Sequence, residues 1–93
     1  MHLMQQAYLE VTYRRGKPLA AYCYLAGRPG QRAHRSRRFE PGLVVDFARN
    51  GVALCIEITS PRSVTLAAIN RVLRELDWPP LTRAELEPLR KAS

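Results

Sequence analysis

The 93 residues predict an α+β domain: a mostly antiparallel sheet of about five strands, one C-terminal helix packed on a face, and a short helical tail. Three observations predict it. Short β-branched and aromatic runs, separated by Gly and Pro turns, fill the chain up to residue 59. One of those turns, Asn50-Gly51, is a strong hairpin signal. From residue 64 the apolar period changes from two to that of a helix.

The elements follow in order. Residues 1–7 are a flexible lead-in to a sheet over 8–59. YLEVTY (8–13) is a strand, Arg14-Arg15-Gly16-Lys17-Pro18 a turn, and LAAYCYL (19–25) its hairpin partner. Gly27-Arg28-Pro29-Gly30 turns again into a weak strand crowded with arginine, QRAHRSRRF (31–39). Glu40-Pro41-Gly42 then leads to GLVVDFARNGVALCIEI (42–58). With Asn50-Gly51 as a two-residue type I′ loop, Phe47 faces Leu54, Val45 faces Ile56 and Leu43 faces Ile58, making one apolar face. The other face sets Asp46 opposite Cys55 and Glu57 opposite Val44, so the two acids are diagonal neighbours. A three-residue loop with a bulge at Gly51 is the alternative.

Leu66, Ile69, Leu73 and Leu76, with Val72, form the stripe of a helix over 64–76, N-capped by Ser63 and ended by Trp78-Pro79-Pro80. That stripe is expected to pack on Val45, Phe47, Leu54 and Ile56. Within the tail (77–93), Thr82 and Glu85 fit a capping box for a short helix that Pro88 should kink or stop. The whole is one domain, 1–93, with no repeat or low-complexity segment.

Composition narrows the function. An apolar fraction of 46 % and a charged fraction of 25 % exclude a disordered main body. Fifteen Lys plus Arg against eight Asp plus Glu give +7, with most of the excess before residue 48. Such a surface attracts nucleic acid, anionic membrane or an acidic protein. Cys23 and Cys55 have neither Cys-x-x-Cys nor His spacing and sit in apolar runs, as buried free thiols do. No signal peptide and no apolar run of about 18 residues is visible, so a cytoplasmic, non-membrane protein is expected.

Four groups of residues carry candidate chemistry. Asp46 and Glu57 are the only carboxylates that can be placed together; a glycosidase or hard-cation site is weighed against plain polar-face carboxylates, and the latter is favoured. Arg28, Arg32, Arg35, Arg37 and Arg38 are candidate contacts for nucleic acid or an acidic partner, with the tyrosines as stacking platforms; the structural alternative is an edge strand guarded by charge. His2 and His34 lack any nucleophile or acid at a telling spacing. Trp78 and Leu86 are candidate interface residues, Trp78 equally a seal on the core edge.

Val11-Thr12-Tyr13, then Ala20-Ala21-Tyr22-Cys23-Tyr24-Leu25, then GLVVDF over 42–47, Gly51 and Ile56-Glu57-Ile58 carry a resemblance. Over 8–60 the chain resembles a small bacterial family of uncharacterised proteins, domain of unknown function 2283. It departs from that pattern in its basic Arg14-Arg15-Gly16-Lys17 turn, where the family is acidic, in Cys55, where the family has glycine, and in a longer tail from Val64. The resemblance implies a sheet-plus-helix fold, no established enzymatic activity, and an antitoxin-like role, since some relatives are encoded beside small toxin-like proteins.

The expected function is therefore a small non-enzymatic module for protein–protein interaction, antitoxin-like or self-associating as a homodimer. A nucleic-acid binder using the arginine strand is the second expectation, and a small hydrolase built on Asp46 and Glu57 the third. No cofactor, metal, catalytic residue or small-molecule substrate is inferred.

Overall fold

A computed structural model describes residues 7–27 and 31–91. Of the lead-in expected over 1–7 only Ala7 is among the described residues, and it is buried in the core; His2 and Arg28 lie outside the described residues. Five strands form one antiparallel sheet: β1 (Tyr8–Arg14), β2 (Lys17–Tyr24), β3 (Arg35–Glu40), β4 (Leu43–Phe47) and β5 (Ala53–Ile58), in the order β1-β2-β5-β4-β3. Helices α1 (Leu66–Glu75) and α2 (Glu87–Lys91) follow. The α+β class is as the sequence predicts.

The type I′ geometry falls elsewhere than expected. Arg15 (φ 54°) and Gly16 (φ 77°) both take positive φ and close β1 onto β2 with Arg14 paired to Lys17. At the second hairpin only Gly51 is left-handed (φ 88°); its N–H donates to the Ala48 carbonyl at 2.9 Å, and Ala48 N–H donates to Val52 at 2.9 Å. The loop there is thus three residues with Gly51 at the bulge, not a two-residue Asn50-Gly51 turn. Asn50 spends its side chain instead of its φ, accepting the Val52 N–H on Oδ1 at 3.1 Å.

The register of β4 on β5 is otherwise as predicted: Leu43 pairs Ile58, Val44 pairs Glu57, Val45 pairs Ile56 and Asp46 pairs Cys55. It breaks between Asp46 and Phe47, and Phe47 meets Ala53. Leu54 becomes the extra residue of a bulge and leaves the helix-facing set. It packs instead with Tyr24 and Cys55 on the other face. Its carbonyl accepts two N–H groups, from Leu25 and Gly27, both at 2.9 Å.

The core lies between the sheet and the helical layer. Ala21, Cys23, Leu43, Val45, Ile56 and Ile58 meet Ile69, Val72, Leu73, Leu81, Leu86 and Leu89. Burying each large aliphatic side chain contributes roughly 1.5–3 kcal/mol. Helix α1 starts two residues later than expected, because Thr65 and not Ser63 is the N-cap; Thr65 Oγ1 accepts from Ala68 N–H at 3.1 Å. It stops in a Schellman motif before the prolines. Trp78 N–H donates to Leu73 at 2.9 Å and Asp77 N–H to Arg74 at 3.1 Å, with Asp77 left-handed at φ 59°.

The tail is ordered onto this layer. Asn70 Nδ2 donates to the Leu81 carbonyl at 3.1 Å and Asn70 Oδ1 accepts Leu81 N–H at 2.9 Å. The capping box forms as read: Thr82 N–H to Glu85 Oε1 at 2.8 Å, Glu85 N–H to Thr82 Oγ1 at 3.2 Å. Pro88 neither kinks nor stops α2. It occupies the first turn, where its missing N–H has no helical partner to lose. Tyr13 Oη donates to the Pro88 carbonyl at 2.7 Å, tying α2 to β1.

Candidate functional site

Strand β3 is one edge of the sheet and begins later than the sequence suggests, at Arg35 and not Gln31. Arg32 is therefore exposed in the segment before it, and His34, also exposed, donates its backbone N–H to Phe47 at 2.8 Å. Pairing Arg35 with Phe47, Ser36 with Asp46, Arg37 with Val45 and Arg38 with Val44 fixes which way each side chain points. Arg35 and Arg37 lie on the helix side, Ser36 and Arg38 on the other.

The two helix-side arginines are held by aromatic rings. The Arg37 guanidinium stands 4.6 Å from the centre of the Phe39 ring, and the Arg35 guanidinium 5.3 Å from that of Phe47. The two rings are 6.2 Å apart. Each such contact is worth about 0.5–1 kcal/mol at an exposed position and orients the cation without neutralising it. Glu75 of α1 and the C-cap residue Leu76 border the same shallow depression. Among the described residues Arg35, Arg37 and Arg38 have no ion pair; the pair that does form is Glu40 with Arg71, at the far end of β3.

The face that neither helix covers is different in kind. Tyr8 and Tyr24, opposite one another on β1 and β2, have ring centres 5.2 Å apart, and Tyr22 stacks on Tyr24 at 6.1 Å. Burial, then the Glu10 carboxylate, push the Tyr24 phenol up to about 12, and its Oη reaches Glu10 Oε1 at 3.4 Å. Asp46 and Glu57 share this face as diagonal neighbours, as the register predicts. Asp46 Oδ1 accepts a hydrogen bond from Ser36 Oγ at 2.6 Å. Three carboxylates thus stand among the tyrosines.

The cysteines are structural. Cys23 is fully buried on the helix side and Cys55 nearly so on the tyrosine side, and burial raises both thiols to about 12. Trp78 is half-buried against the core edge and borders a shallow depression with Arg74, Asp77, Pro79 and Pro80. Leu86 is corrected: at 2 % exposure it belongs to the core and is not available to a partner.

The sequence pointed to the arginines but not to Phe39 and Phe47 as their supports. The signal for Phe39 was present, two residues beyond Arg37 on one strand face. The Phe47 contact is a cross-strand one and needs the register of β3 on β4. Among the described residues no group of three or more His, Cys, Asp or Glu is placed to hold a metal ion, and no helix is long and apolar enough to cross a membrane. Comparison with protein-family models, curated proteins and solved structures finds no match to the chain.

Proposed function

We propose that this protein is a small non-enzymatic binding module whose partner is another protein, in the manner of an antitoxin, or a second copy of itself as a homodimer. The observation that supports the reading is the division of charge across the sheet. Tyr8, Tyr22 and Tyr24 share their face with Glu10, Asp46 and Glu57; of the β3 arginines only Arg38, at the far edge of the sheet, lies on that side, whereas Arg35 and Arg37 lie on the helix side. A single-stranded nucleic acid needs stacking rings and backbone cations in one track. Here the rings are flanked by like charges to a phosphate. A protein surface, which offers apolar groups and both signs of charge, meets no such conflict.

Two buried free thiols fit a reducing compartment such as the bacterial cytoplasm. A hydrolase built on Asp46 and Glu57 has the least support, since both acids stand on a sheet face and Asp46 is already held by Ser36.

The test is binding of a labelled single-stranded oligonucleotide, set beside sedimentation of the protein alone and with a copurified protein. A protein-binding module sediments as a stoichiometric complex and leaves the oligonucleotide free at low salt. An oligonucleotide bound at low salt and released between roughly 50 and 200 mM salt overturns the reading in favour of the arginine strand as a nucleic-acid site.

A further inference from the structure

We propose that the outer edge of β3 accepts an extended acidic segment of a partner protein as an added strand. The proposal rests on the protein-binding reading and names the partner's chemistry at one surface. Three features of β3 lead to it.

First, the edge has backbone groups to offer. In an antiparallel ladder successive residues alternately turn their N–H and C=O toward the neighbour and away from it. The Phe47 carbonyl points at β3, where it takes the His34 N–H, while the Gly42 carbonyl points the other way and takes the Thr59 N–H. By that alternation Arg35 and Arg37 bond to β4, and the amide groups of Ser36 and Arg38 face outward.

Second, the edge is marked by unpaired cations on both sides. Arg35 and Arg37 project on the helix side, fixed over Phe47 and Phe39, and Arg38 projects on the tyrosine side. An added strand sends its own side chains alternately to the same two sides, so it reaches all three. A phosphodiester linkage offers acceptors only and satisfies no outward carbonyl, and a nucleic-acid strand runs along one side of the sheet. A second copy of β3 would set arginine against arginine, which is unfavourable for directly opposed pairs.

Third, the spacing specifies a pattern. Residues opposite Arg35, Arg37 and Arg38 should be acidic. The residue opposite Ser36 should be neutral, because Ser36 already donates to Asp46 and an acid there would face the Asp46 carboxylate. An added parallel strand therefore reads Glu-Val-Glu-Glu, and an antiparallel one Glu-Glu-Val-Glu.

The experiment uses the full chain and fluorescein-labelled synthetic peptides of about ten residues centred on each of those two sequences. One of the two should bind, with protection of the Ser36 and Arg38 amides from hydrogen exchange. Replacing its three glutamates by glutamine should weaken binding on the order of tenfold or more, as should N-methylation of its alternate amides. Arg37→Glu should lose the acidic peptide and gain one with lysine at the facing position, provided its circular dichroism matches the parent's. Failure of both peptides at low salt overturns the proposal. Equal binding of the N-methylated peptide overturns strand addition while leaving a protein partner in place. An oligonucleotide that displaces the peptide and binds more tightly overturns the protein-binding reading as well.

Discussion

Asn70 grips Leu81 at both ends of its side-chain amide, donating to the carbonyl at 3.1 Å and accepting the N–H at 2.9 Å. The two residues are eleven apart, on α1 and on the tail, so this pair sets where the chain after Pro80 lies. Leu81 is 5 % exposed, and its backbone groups have little access to replacement water. Asn70→Ala leaves a part-buried donor and a part-buried acceptor without their protein partners, at up to about 1–3 kcal/mol each. For a domain of this size a loss of 1 kcal/mol lowers Tm by roughly 4–8 °C. Thermal unfolding should therefore show a drop of at least several degrees. An unchanged Tm would mean that the apolar contacts of Leu81, Leu86 and Leu89, with the Tyr13 bond to Pro88, suffice to seat the tail.

Glu40 and Arg71 join the end of β3 to α1 through two contacts, Nε to Oε2 at 2.8 Å and Nη2 to Oε1 at 2.9 Å. The Arg71 hydrogen bonds hold the Glu40 carboxyl below its ordinary range. A depressed carboxylate contributes stability above its unfolded pKa and loses it as pH falls through the folded one. The pair is exposed, so the effect is small and screened by salt. The Tm difference between the parent and Glu40→Gln should be present at neutral pH and shrink toward zero on acidification. A difference that stays constant down to strongly acid pH is incompatible with this account.

Cys23 and Cys55 are both raised to about 12 from 9.0, by burial before any neighbouring charge. The folded state keeps them protonated where the unfolded chain ionises. Stability from this source is full below about pH 9 and falls as pH rises from there toward the folded value. At neutral pH the thiolate is the reactive species and is nearly absent, so alkylation should track global unfolding. Iodoacetamide labelling followed by mass spectrometry should leave both thiols unmodified until denaturant is added. Prompt labelling of either would show that the segment above it opens locally.

The sequence made the strands and their faces legible wherever alternation ran unbroken. Leu43 to Asp46 and Cys55 to Ile58 keep a strict period of two, so the side taken by Asp46 and Glu57 followed from pattern alone. Leu54 did not, because a bulge adds one residue without changing composition. Its cause lies in the approach of Leu25 and Gly27 to the Leu54 carbonyl, a contact between distant segments. The turn chemistry was read correctly in kind and misplaced in position. Arg15-Gly16 takes the left-handed pair that Asn50-Gly51 advertises, and the second loop takes the three-residue alternative with Gly51 at the bulge. Leu86 was taken for an interface residue because Pro, Glu and Arg together outnumber leucine in the tail. The Asn70 clamp and the Tyr13 bond to Pro88, both between distant segments and invisible in any local pattern, hold the tail where Leu81, Leu86 and Leu89 face inward. Of the arginine edge, the charged run was legible and the rings beneath it were not.

Gly27 and Gly16 should respond to alanine for opposite reasons. At Gly27 a Cβ would lie 2.8 Å from both Cβ and the carbonyl oxygen of Leu54, closer than such atoms approach. The carbonyl is fixed by its two N–H donors and cannot move without opening both bonds. Gly27→Ala therefore forces the bulge apart and should cost about 1–3 kcal/mol, the range for overpacking in a tight site. At Gly16 a Cβ meets nothing within 4 Å, but the backbone sits at φ 77°. The cost there is that of a left-handed L-residue alone, roughly 1–2 kcal/mol, and no neighbour shifts. Denaturant unfolding measures both losses, and NMR separates them. Gly27→Ala should move the amide resonances of Leu25, Leu54 and Cys55, whereas Gly16→Ala should perturb only the turn between β1 and β2. Tolerance of Gly27→Ala without loss of stability would mean the Leu54 carbonyl is not the shared acceptor that fixes the bulge.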